Sequence, residues 1–188
     1  MGRFIVGIII GLILFPLGMV AWFRWGNPPV AVADSPLPFE KQITKVPLHA
    51  RIDRQMVKTP PLQPSDDNLV AGAQIYSDNC AVCHGMQGQP SDIGGHMFPA
   101  APQLWRKHPN EDVVGVSDDP PGETYWKVAN GIRLTGMPSF DHILTEQQMW
   151  QVTLLLANAN KPLPPAAKAM VSPAPANPPA PPAPAKKK

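Results

Sequence analysis

Apolar residues are distributed very unevenly along this chain, and the pattern divides it into four segments. Phe4 to Phe23 form an unbroken run of 20 positions without a charged side chain. At 1.5 Å per residue such a run spans roughly 30 Å as a helix, the thickness of a bilayer's hydrocarbon core. Arg3 and Arg24 flank it, and Trp22 and Trp25 stand where an interfacial aromatic belt would lie. A cleaved signal peptide is the competing reading, because Ala31-Val32-Ala33 has the small-x-small form of a cleavage site. That site lies well beyond the run, past Arg24 and Pro28-Pro29, and the run exceeds the usual signal core. A retained transmembrane anchor over 1–25 is therefore expected.

No periodicity is sustained from 26 to 64, which reads as a proline-rich spacer with one short helical stretch at Leu48–Val57. A helix then opens at Ser65, with Asp66, Asp67 and Asn68 as capping residues. Leu69, Ala73, Tyr76 and Cys80 share one face of it. A second helix begins at Thr145, where Gln148 completes a capping box, and Trp150, Leu154 and Ala157 mark its buried face. Gly72 would let these two helices approach closely. The long Gly-, Pro- and Asp-rich stretch between them needs something central to organise it, which points to a cofactor. The folded domain is thus expected over 65–160, followed by a disordered Pro/Ala/Lys tail over 161–188.

Composition narrows this further. With 26 prolines and 14 glycines in 188 residues, much of the chain must be loop. The net charge of +2 is segregated. Residues 65–160 carry 11 acids against 4 bases, a net −7, while the flanking segments and tail are basic. An acidic domain argues against nucleic acid and for basic protein surfaces. Two cysteines are too few for a disulfide framework.

The chemistry centres on Cys80-Ala81-Val82-Cys83-His84, the C-x-x-C-H pattern of covalent haem attachment. Two thiols at a helix end can add to the two vinyl groups of one porphyrin, and the following histidine then lies beneath the iron. A thioredoxin-like pair would instead open a helix after a strand. A zinc site would have to recruit His49, His96, His108 or His142. Downstream, Gly136-Met137-Pro138 presents a thioether on a stiff loop, and a thioether opposite histidine favours ferrous iron. Met97 is the alternative thioether, and His96 and His142 are weaker alternatives.

These residues together resemble the class I cytochromes c over about Leu69–Asn158. The resemblance implies a mainly α fold, with helices and long loops wrapped around one covalent haem c. It implies attachment through Cys80 and Cys83, with His84 and Met137 as iron ligands. It also assigns Pro102 as the carbonyl acceptor for the histidine ring and Leu104 as a residue packed on haem. Tyr125-Trp126-Lys127-Val128 resembles segments lining the haem near its propionates, whereas Lys107–Gly122 matches no family role.

The expected function is one-electron transfer with no small-molecule substrate, so not an enzyme in itself. Expected partners are a quinol-oxidising complex, a periplasmic dehydrogenase, a terminal oxidase or a soluble cytochrome. The expected location is the bacterial inner membrane with the haem domain in the periplasm. The alternative is a haem enzyme or gas sensor with five-coordinate iron, for which His96 or Arg133 would line the distal side.

Overall fold

A computed structural model describes residues 1–173. The chain divides at Lys45/Val46 into two units, each considered by itself. In the first, helix α1 spans Gly2–Trp25 and buries no side chain. It is long and apolar enough to cross a membrane, with a mean hydropathy of 2.7 over its most apolar stretch. Pro16 lies inside it, and Gly26 N–H closes its end on the Trp22 carbonyl at 2.8 Å. A turn follows in which the Asp34 carboxylate accepts from the backbone N–H of Val30 and Ala31, both at 2.8 Å. Those two bonds favour the ionised form and hold the Asp34 carboxyl below its usual range.

Helix α2 spans Glu40–Gln55, longer than the short helix expected at Leu48–Val57. Its residues from Val46 onward belong to the second unit. Ile52 is fully buried there, and Gln55 Oε1 accepts from Trp126 Nε1 at 3.1 Å. The Arg51 guanidinium lies over the Trp126 ring, 5.9 Å from its centroid, within the range of a cation–π contact. The segment expected as a spacer up to residue 64 therefore joins the folded unit well before its end. One buried isoleucine and an aromatic partner are enough to dock it, and neither stands out in a proline-rich sequence.

Helix α3, Asp66–Asn79, starts as expected: Ser65 Oγ accepts from Asn68 N–H at 3.4 Å, and Asp66 and Asp67 complement the positive helix end. The four-residue turns α4, Ala81–His84, and α5, Asp92–Gly95, follow. Helix α6 spans Pro121–Asn130 and helix α7 spans Glu146–Ala157. The expected capping box at Thr145 and Gln148 is present in both directions.

Helix α7 is buried over Met149–Leu156 rather than along one stripe. It packs against α3 and also against α6, so it is covered on two sides and buries even Gln151 and Thr153. Gly72 is the point of closest approach, since a Cβ there would collide with the Gln151 backbone carbonyl. In Gly72→Val the helix-propensity gain, under 1 kcal/mol, is outweighed by overpacking of about 1–3 kcal/mol, because a backbone carbonyl cannot rotate away. Thermal unfolding should show a Tm lowered by several degrees.

Helix α8, Pro165–Val171, was not expected. It packs against α3 with Ala167 and Val171 fully buried. The Val171 carbonyl accepts from Gln87 N–H at 2.8 Å. The segment expected as a tail from residue 161 therefore begins with a packed helix. Prolines at the start of α8 cost no hydrogen bond, because the first N–H groups of a helix have no intrahelical partner. A Pro/Ala-rich composition thus conceals a short helix. The remainder of the expected tail, 174–188, lies outside the described residues. Among the described residues the fold is helical without strands, with isolated bridges only at Met86–Gln89 and Lys107–Val114.

Candidate functional site

Cys80 ends α3, where its N–H bonds to the Tyr76 carbonyl at 2.9 Å. The chain then makes one further turn, with Cys83 and His84 N–H groups both bonding to the Cys80 carbonyl at 3.1 and 2.9 Å. Cys80, Cys83 and His84 are thereby gathered on one turn after α3. Tyr76 anchors this turn from below, since its buried hydroxyl donates to the Gly85 carbonyl at 2.7 Å.

Both thiols are free and half-buried. Burial, and secondarily the nearby Cys83, push the Cys80 thiol up to about 12. A thioredoxin-type pair needs the opposite, a thiol made acidic by a helix start or a cation. The environment of Cys80 therefore argues against that chemistry.

His84 Nδ1 lies 2.7 Å from the Pro102 carbonyl oxygen. A carbonyl only accepts, so Nδ1 carries the proton and Nε2 keeps its lone pair. Burial, only partly offset by this bond, lowers the His84 pKa, so the ring is neutral near pH 7. The result is an oriented, neutral imidazole with Nε2 available to a metal. Leu104 is buried, and its N–H bonds to the His84 carbonyl at 3.3 Å. Pro102 and Leu104 thus both lie along the motif.

Met137 is half-buried against the same core. Its loop is closed by Ile132 N–H bonding to the Met137 carbonyl at 3.2 Å. Thr135 Oγ1 accepts from Met137 N–H at 3.1 Å and donates to the Ile132 carbonyl at 2.7 Å. The Met97 side chain lies against Gly136, so the alternative thioether is adjacent to the same loop. His96 is exposed, with Nδ1 2.9 Å from the Asp92 carbonyl oxygen, and His142 is exposed beside Asp141. Among the described residues, no three His, Cys, Asp or Glu side chains come together in a way that would hold a metal ion.

The aromatic segment divides its roles. Tyr125 stacks on Trp150 at 4.1 Å and 11°, while Trp126 faces Gln55 and Arg51 of α2. Lys127 pairs with Glu123 at 2.7 Å and Asp119 at 3.5 Å, and burial is the main reason the Asp119 carboxyl is raised. The unaligned stretch at Lys107–Gly122 folds back on itself, with His108 N–H bonding to the Val113 carbonyl at 2.9 Å and Gly115 N–H to the Arg106 carbonyl at 3.0 Å.

Two thiols followed by a neutral imidazole suit covalent attachment and ligation of a haem, and a thioether is one of the side chains that can serve as its other ligand. A further observation fits: Trp105 Nε1 is buried with no hydrogen-bond partner. Its ring meets Tyr76 edge-on at 5.6 Å. An unpaired buried donor is costly, and the polar edge of a bound group would relieve it. Gln103 and Ser91 brace the motif turn through the Cys83 and Val82 carbonyls, and Val171 holds Gln87 just beyond it. No spacing or periodicity marks them, because each acts across a loop.

A model of the cytochrome c family matches residues 69–160. No curated protein sequence matches the chain. Among solved structures, a reducing HAO-like protein complex of Kuenenia stuttgartiensis contains a similar chain, at 19% identity and a TM-score of 0.40. That likeness covers 74% of this chain and 54% of the other, so the chain spans about half of that protein's length. Residues 69–160 are therefore a class I c-type cytochrome domain, of a family that binds haem c covalently and transfers electrons with it.

Proposed function

We propose that this chain is a membrane-anchored mono-haem cytochrome c that passes single electrons between protein partners. The observation that carries the reading is the bond from His84 Nδ1–H to the Pro102 carbonyl, made by the histidine that follows two free thiols. Such a bond fixes the tautomer and orientation of a metal-binding imidazole and raises its basicity.

In this reading Cys80 and Cys83 would hold the porphyrin through thioether bonds. His84 Nε2 and the Met137 thioether would ligate its iron, and Leu104 closes apolar surface beside His84. A bound haem supplies reversible one-electron exchange. With both side chains on the iron no coordination site would remain for a substrate, and the chain would act as a carrier or as a subunit of an oxidoreductase complex.

Helix α1 serves as a single-pass anchor in the bacterial inner membrane, with the haem domain on the periplasmic side, where c-type attachment takes place. Tethering raises the effective concentration of the domain at membrane partners. The net −7 over residues 65–160 suits partners with basic docking surfaces. A quinol-oxidising complex or periplasmic dehydrogenase would be the donor, and a terminal oxidase or soluble cytochrome the acceptor.

Cells producing the full chain should retain its haem-stained band in membranes through high-salt and alkaline carbonate washes. Protease added to spheroplasts should degrade that band. Recovery of the band in the soluble periplasmic fraction would contradict the anchor, and protection from protease would contradict the orientation.

A further inference from the structure

We propose that Gln103 is a positioning residue for the proximal ligand, setting the strength of the His84–Pro102 hydrogen bond and through it the reduction potential. This rests on the haem reading above.

The side chain of Gln103 bridges three segments. Its Oε1 accepts from Ser91 N–H at 2.6 Å. Its Nε2 faces two carbonyls, that of Ala101 at 3.1 Å and that of Cys83 at 3.4 Å. The amide orientation is fixed by its surroundings, since an N–H can only donate and the two carbonyls only accept. One amide thus joins the second cysteine, the loop entering α5, and the strap 101–104.

The same amide lies against the residue after His84. Gly85, directly after His84, has φ +73, and a Cβ there would lie 2.6 Å from Gln103 Oε1. The motif turn is therefore packed flat against the Gln103 side chain. Pro102 is the neighbouring residue on the strap, and its carbonyl is the acceptor for His84 at 2.7 Å. As proline it has no N–H of its own to bond the strap in place. Strap and motif are held together by the Leu104 N–H to His84 carbonyl bond at 3.3 Å and by the Gln103 amide.

The consequence follows from ligand basicity. A short, well-held Nδ1–H···O bond gives the imidazole more electron density and stabilises ferric iron. Releasing the strap lengthens that bond, so ferrous iron gains and the potential rises.

The test uses the haem-loaded full chain and Gln103→Leu, which keeps the side-chain size and removes all three bonds. The potential should rise by the equivalent of a three- to tenfold shift in the ferrous–ferric ratio, tenfold being 59 mV for one electron. The hyperfine-shifted ring protons of His84 should move, and its Nδ1 proton should exchange with solvent at least tenfold faster. If Gln103→Leu fails to load haem, Gln103→Met decides the matter. It is uncharged, keeps the side-chain length and lacks the amide donor and acceptor, and should shift all three readouts in the same direction.

Thr145→Ala serves as the control. It removes the α7 cap and lowers Tm without moving potential, ring shifts or exchange. A haem-loaded Gln103 variant with wild-type values for all three would overturn the proposal and leave the haem reading intact. Wild-type protein without covalent haem would instead remove that reading, and the proposal with it.

Discussion

Cys83→Ser should lower the yield of mature haem-bearing protein at least tenfold. A serine hydroxyl is a far weaker nucleophile than a thiol, so the second thioether does not form. The loss extends beyond one covalent bond, because the domain between α4 and α7 is mostly loop and its core is small. Its buried residues come chiefly from α3, α6, α7 and α8. The intervening loops are held by single bonds such as Ala101 N–H to the Gly94 carbonyl at 2.9 Å. A covalently fixed macrocycle supplies the apolar surface these loops lack, and constrains the unfolded chain as a cross-link does. Quantifying haem against protein in purified material checks this. A wild-type haem ratio in Cys83→Ser would contradict the attachment role.

Met137→Leu should have the opposite profile, with full covalent haem but altered iron. Leucine fills nearly the same volume against the core at a cost below about 1.5 kcal/mol, so folding is retained. The thioether that favours ferrous iron is lost. Axial ligands set haem potentials over roughly 0.8 V, and a fall on the order of 0.2 V is expected here. The far-red band of sulfur–iron coordination should vanish, and the reduced protein should begin to bind carbon monoxide. If the potential and band persist in Met137→Leu, the ligand is another thioether, and Met97, whose side chain lies against Gly136, is the next to substitute.

What the sequence made legible was what local rules govern. The helix starts at Ser65 and Thr145 were readable because capping depends on residues three apart, and both caps are present. The close approach at Gly72 was readable because only glycine admits a carbonyl there. The roles of Pro102 and Leu104 came from a family pattern, while their bonds to His84 span a loop and are visible only in the fold. Elements that depend on distant contacts were not readable. The docking of α2 depends on Trp126, 71 positions from Gln55. Helix α8 depends on an apolar face of α3 and on Gln87, and its own composition suggests a tail. Gln103 is a polar residue two of whose three partners lie 12 and 20 positions away, so no periodicity could mark it.

The account stands on a porphyrin bonded to the sulfurs of Cys80 and Cys83. Mass spectrometry of the mature chain, followed by digestion, addresses that directly. The predicted result is the mass of one haem added to the intact protein and carried by the peptide that contains both cysteines. An intact mass without that addition, with both thiols free to alkylate, would contradict it.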